Sequence, residues 1–187
     1  MTGETWVPLI EKAYAKLHGN YDHLNGGFEA EALEELTGFV PFCFFFKNFS
    51  SADVSFFSGV ATYILTKDIL DADRFWVDEL SRANKDRLFG CSVGAIDTSR
   101  NEQDDDVDVQ GLITNHAYSV LRAVECKGKR FVVIRNPWGK TEWTGPWSDG
   151  SKEWTGEWLE ILPELGHSFG DDGQFVMECE FFASRSV

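Results

Sequence analysis

Apolar residues at Trp6, Leu9, Ile10, Ala13, Tyr14 and Leu17 recur three or four positions apart, the spacing that gathers side chains on one face of an α-helix. The pattern predicts an amphipathic helix over residues 5–17, with Thr5 as its cap, Pro8 in its first turn and Gly19 as its stop. A shorter helical stretch over 28–36, between Gly26-Gly27 and Gly38, carries a mixed acidic face. Ile69, Leu70, Phe75, Trp76, Leu80 and Ala83 predict a third helix that starts at Thr66 or Asp68 and reaches about Arg87.

From Leu88 onward the pattern changes. Short runs rich in β-branched and aromatic residues, separated by turn residues, predict antiparallel strands over 88–93, 117–124, 131–136 and 174–179. The polar connection Cys126-Lys127-Gly128-Lys129 joins the second and third as a hairpin. Residues 97–111, with aspartates at 104, 105, 106 and 108, form a solvated loop in this reading. The expected fold is α+β, a single domain over 1–187, with N-terminal helices packed on an antiparallel β-sheet or small barrel. Residues 39–58 stand apart as an atypical Phe-rich insertion. Eight of the chain's 16 phenylalanines fall between Phe39 and Phe57, and neither a helical nor a strand period orders them.

Composition narrows the possible partners. Thirty-one acidic against 17 basic residues give a formal charge of −14, which repels nucleic acid and anionic membranes and favours cations, calcium among them. No segment offers on the order of 18 uninterrupted apolar residues, so no membrane span is expected. The first nine residues lack the basic and apolar regions of a secretion signal. Cys43, Cys91, Cys126 and Cys179 are scattered at none of the usual zinc spacings, which points to free thiols in a cytoplasmic protein.

Candidate chemistry lies in the predicted hairpin. His116 opens one strand, Asn136 closes the next, and antiparallel pairing brings them to the same end. Cysteine proteolysis needs an imidazole to take and return the thiol proton, and a side-chain oxygen to hold the ring. Taken alone, a surface His and a turn-forming Asn before Pro137 is the commoner account of such a pair. Asp171-Asp172-Gly173 alone is likewise an ordinary turn signal. The five tryptophans from Trp138 to Trp158 could make a sugar-stacking platform, although Trp in Gly-rich loops more often plugs the edge of a β core.

The longer strings change that weighting. Asn115-His116-Ala-Tyr-Ser-Val120, Arg135-Asn136-Pro-Trp138-Gly139 and Glu142-Trp143-Thr-Gly-Pro-Trp147-Ser-Asp149 resemble, in order, the catalytic core of the calpain family of papain-type cysteine proteases. So do residues 9–17, Gly26-Gly27, Leu36-Thr37-Gly38 and residues 171–175, so the resemblance covers nearly the whole chain outside about 39–58. It implies that His116 is general base and acid, that Asn136 orients it, and that Trp138 shields the pair from solvent. It also implies a calcium site with Glu142, Asp149 and Asp172 as carboxylate ligands and backbone carbonyls near Gly170 and Gln174. Calcium's preference for six to eight hard oxygens suits that set, although Gly170 has no side chain to help fix its loop.

The resemblance further implies the second lobe of a two-lobed core. The family's Gln-Gly…Gly-Asp-Cys-Trp signature is absent from this sequence, and none of the four cysteines sits where a helix N-terminus or a cation would activate it. The expectation is therefore the His/Asn half of a calcium-dependent cysteine endopeptidase of proteins, inactive without a cysteine-bearing first lobe. The alternative is a non-catalytic calcium- or protein-binding module. Deleting 39–58 restores the family's continuity from Leu-Thr-Gly38 to Gly59-Val60, as a translated intron in a gene model would.

Overall fold

Among the described residues a seven-stranded sheet organises the fold, and its best-buried strand explains why. The computed structural model describes residues 5–26, 29–38, 43–49, 52–57, 63–65, 71–93, 108–114 and 116–179. The strands are β1 (Cys43–Phe49), β2 (Ala52–Phe57), β3 (Tyr63–Leu65), β4 (Phe89–Val93), β5 (Asp108–Val109), β6 (Leu112–Ile113), β7 (His116–Cys126), β8 (Lys129–Arg135) and β9 (Gln174–Glu178). The large sheet runs β3-β1-β2-β4-β7-β8-β9, antiparallel except for β1 with β3, while β5 and β6 form a separate small hairpin. The expected hairpin is present as β7–β8, with Cys126 paired to Lys129 and a register shift between Val120 and Arg122.

Phe131, Val132, Val133 and Ile134 of β8 are all essentially inaccessible. A continuous apolar run, rather than an alternating one, marks a strand covered on both faces. Val132 and Ile134 point into a cluster with Trp76, Leu80, Phe89, Tyr118 and Phe175, and Phe131 and Val133 into another with Trp147, Trp154 and Leu165. Full burial of such side chains stabilises by roughly 1.5–3 kcal/mol each.

The helices are α1 (Trp6–Leu17), α2 (Glu29–Thr37), α3 (Ala72–Asp78), α4 (Gly156–Leu159) and α5 (Leu162–Leu165). The third helix is shorter than expected. The Asp71 side chain caps it by accepting from the Arg74 N–H at 2.9 Å, and after Asp78 the chain tightens into a 3₁₀ turn over Leu80–Arg82. Trp76, Leu80 and Ala83 nevertheless share one buried face, so the apolar period runs past the end of the helix that it suggested. The expected start at 66 or 68 lies outside the described residues, as do Phe28 and most of the acidic loop. The end of that loop, at 108–109, is strand β5.

Residues 43–49 and 52–57 form paired antiparallel strands although no alternation predicted them, and β2 continues the sheet onto β4. The signal there is the high β-propensity of a Phe-rich run rather than its period. Among the described residues no helix is long and apolar enough to cross a membrane.

Candidate active site and acidic loops

His116 is the first residue of β7 and pairs with Val93 of β4, so its ring stands at the end of the sheet. Asn136 follows β8 directly and is completely buried. Its backbone N–H donates to Gly173 O at 2.8 Å, which ties the end of β8 to the loop before β9. Its side-chain amide donates from Nδ2 to Thr141 O at 3.0 Å, while Oδ1 accepts from the Trp138 N–H at 3.0 Å. These two contacts fix which way the amide faces, so Oδ1 is turned to His116 Nε2, 2.9 Å away. An oxygen acceptor there places the imidazole proton on Nε2 and leaves Nδ1 as the ring's second functional nitrogen.

The Trp138 ring lies over the imidazole, with centroids 4.1 Å apart and planes tilted by 40°, and is itself half exposed. Tyr118 meets the same imidazole edge-on at 5.0 Å, and its hydroxyl accepts from the Ile113 N–H at 2.8 Å. Sequence reasoning did not single out Tyr118, whose position two residues along the strand from His116 was its only signal.

Three of the four remaining tryptophans do not form a platform; the fourth, Trp158, lies half-buried on α4. Trp143, Trp147 and Trp154 are buried, and their indole N–H groups donate to Pro146 O, the Glu178 carboxylate and the Trp147 and Ser148 carbonyls. They pin the loop between β8 and α4 to the sheet.

That loop carries the acidic residues. Glu142 Oε1 accepts from the N–H groups of Asp172 at 3.0 Å and Gly173 at 2.8 Å. Asp149 Oδ2 accepts from Gly170 N–H at 2.8 Å, and its Oδ1 lies 2.7 Å from His167 Nε2. Asp172 Oδ1 accepts from the Gln174 N–H at 2.9 Å. Burial pushes the Glu142 carboxyl above its ordinary range against the pull of its two N–H donors, and the charges of Asp149 and Asp172 add to the rise.

A hollow of about 440 Å³ is lined by Glu142, Asp149, Gly150, Phe169, Gly170 and Asp171. Of the expected ligands, Glu142, Asp149 and Gly170 line it, whereas Asp172 and Gln174, the latter the first residue of β9, are not among its lining residues. No three His, Cys, Asp or Glu side chains among the described residues already converge as a metal cluster. The donor set still fits a hard cation: every candidate ligand atom is oxygen, and mutually repelling carboxylates face a hollow. His167, buried beside the candidate ligand Asp149, is a residue that sequence reasoning missed, because its partner is 18 positions away and no local motif marks it.

The two clusters share backbone. Asn136 is held by Thr141 and Gly173, and Glu142 follows the first while binding the N–H of the second. Gly173 has φ +83°, and a Cβ there would meet Asn136 O and Gly139 at 2.9 Å, so both conformation and space require glycine.

Residues 1–186 match the family model described as calpain family cysteine protease. The chain belongs to the calpain family. Calpain-9 of Rattus norvegicus is 39% identical over 187 residues, covering 97% of this chain. Calpain clp-4 of Caenorhabditis elegans is 35% identical over 97% of the chain, and calpain-type cysteine protease DEK1 of Arabidopsis thaliana 38% identical over 79%. The chain spans 23% of the length of Calpain-9 and of clp-4, and 6% of DEK1. The α+β architecture is that of a calpain protease domain.

Calpain ancestry directs attention to the thiols. Cys91 is buried in the core cluster that holds Trp76 and Tyr118, and Cys126 lies in the other core cluster, where burial pushes its thiol up. Cys179 packs against the first cluster. These are core side chains.

Proposed function

We propose that this calpain-family chain supplies the His/Asn half of a calcium-dependent cysteine endopeptidase, and that it is silent until a cysteine-bearing lobe is placed against it. The contact between His116 Nε2 and Asn136 Oδ1 at 2.9 Å carries the proposal. With its proton held toward Asn136, the ring offers Nδ1 to a partner's thiol. His116 takes the thiol proton there and returns it to the leaving amine as the peptide bond breaks. Asn136 keeps the tautomer, and Trp138 limits water at the His–Asn contact. The nucleophile and the donors that stabilise the oxyanion come from the partner lobe, and the substrates are cytoplasmic proteins.

Glu142, Asp149 and Asp172, with backbone carbonyls near Gly170 and Gln174, would hold calcium, which when bound neutralises carboxylates that otherwise repel one another. The shared backbone at Thr141 and Gly173 supports calcium dependence, because a change in the acidic loops is felt at Asn136.

The test combines this chain with a separately expressed cysteine-bearing calpain lobe and follows cleavage of a fluorogenic peptide. The chain alone gives none, the mixture cleaves when calcium is added, and His116→Ala abolishes it. Cleavage by the chain alone that depends on His116 would overturn the proposed division of labour. Binding of the lobe without cleavage would assign the chain to the alternative, a non-catalytic protein-binding module.

A further inference from the structure

His167 begins the stretch that leaves α5. Its N–H donates to Leu162 O at 3.1 Å, and its side chain has no exposed surface. Both ring nitrogens are engaged. Nε2 lies 2.7 Å from Asp149 Oδ1, and Nδ1 lies 3.0 Å from Gln174 Nε2. The same amide nitrogen of Gln174 lies 3.3 Å from Gly166 O.

A carboxamide nitrogen carries two hydrogens and accepts nothing. One hydrogen is directed to the Gly166 carbonyl and the other to the imidazole, so His167 Nδ1 is the acceptor and the ring proton is on Nε2. That N–H donates to Asp149 Oδ1, while Oδ2 takes the Gly170 N–H. Each carboxylate oxygen keeps a second lone pair for the hollow, and the carboxylate plane is held at both ends.

We infer that Gln174 and His167 form a positioning relay that presents Asp149 to calcium: Gln174 sets the tautomer of His167, and His167 sets the orientation of the ligand. The inference rests on the calcium reading given above and changes one part of it. Gln174 contributes its side chain to the ligand's support, in addition to any backbone carbonyl. Such outer-shell partners of ligating groups are worth roughly 10–100-fold in metal affinity.

Calorimetric titration of the full 187-residue chain with calcium chloride tests it, alongside His167→Leu, His167→Gln and Gln174→Leu, with calcium-free melting curves for each. His167→Leu weakens calcium roughly 10–100-fold. His167→Gln recovers most of that loss, because its amide N–H reaches the place of Nε2–H, and Gln174→Leu loses less than His167→Leu. A role confined to packing would lower the calcium-free melting temperature and leave affinity alone, so equal affinity in wild type and His167→Leu overturns the relay. An affinity for His167→Gln as poor as for His167→Leu overturns it as well. If His167→Leu does not fold, Gln174→Leu decides, and unchanged affinity there overturns the relay. Absence of calcium binding by the wild type overturns the calcium reading together with the relay.

Discussion

Helix α1 and strand β8 are both strongly patterned, yet they meet opposite fates. β8 buries every residue from Phe131 to Ile134 between two aromatic clusters. α1 leaves Trp6, Leu9, Ile10 and Leu17 exposed, and only Ala15 is buried. Periodicity states which residues share a face. It does not state whether this chain holds the surface that covers that face, and the contrast separates the two kinds of information.

The contrast is broken most directly by truncating one side chain in each region. Phe131→Ala removes a ring packed edge-on against Trp147 and Trp158 and costs about 3–5 kcal/mol in urea denaturation. Leu9→Ala on α1 stays within about 0.5 kcal/mol of wild type. An equal cost at Leu9 would mean that the α1 face is covered in solution.

A smaller effect sharpens the comparison inside the β8 region. Thr141 holds φ +65°, a left-handed conformation costly for a β-branched residue. Thr141→Gly relieves roughly 1–2 kcal/mol of that cost. It returns roughly 0.5–1 kcal/mol to the more flexible unfolded chain. The expected result is a gain of up to about 1.5 kcal/mol in the same denaturation experiment, with the Thr141 carbonyl still available to Asn136.

The smallest effect concerns the α1–α2 pair. Burial, helped by a hydrogen bond and the charge of Glu35, pushes the Tyr14 hydroxyl from 10.0 up to about 12. The folded pair therefore holds a proton that the unfolded chain has released, and stability falls as pH rises from 10 to about 12. Tyr14→Phe flattens that decline and removes a late-titrating component of the tyrosinate absorbance. A wild-type titration with all tyrosines ionising together near their ordinary value would dissolve the pair as a structural unit.

Much of the fold was legible because it depends on local spacing. The strands around β7 and β8, the hairpin between them and α1 follow from patterns within a dozen residues. His116 and Asn136 were legible as a pair because antiparallel pairing turns two distant positions into neighbours. What was not legible depends on contacts that spacing does not encode. The end of α3 is hidden because a 3₁₀ turn keeps Leu80 and Ala83 on the face begun by Trp76. The strands in the Phe-rich stretch have no alternation to reveal them. His167 acquires its place only when the loop at 149 and the start of β9 at 174 meet around it.

Thr141 and Glu142 are consecutive, one holding the Asn136 amide through its carbonyl and the other gathering the N–H groups of Asp172 and Gly173. The constraint on this stretch is therefore one of counting. Surface loops ordinarily absorb inserted or deleted residues at little cost. Here one residue added between 141 and 142 would push the two anchors apart along the chain while their partners stayed where the sheet puts them. Substitutions that keep the Glu142 carboxylate and the carbonyl at 141 in place can be accommodated in this loop, but its length is set from both ends.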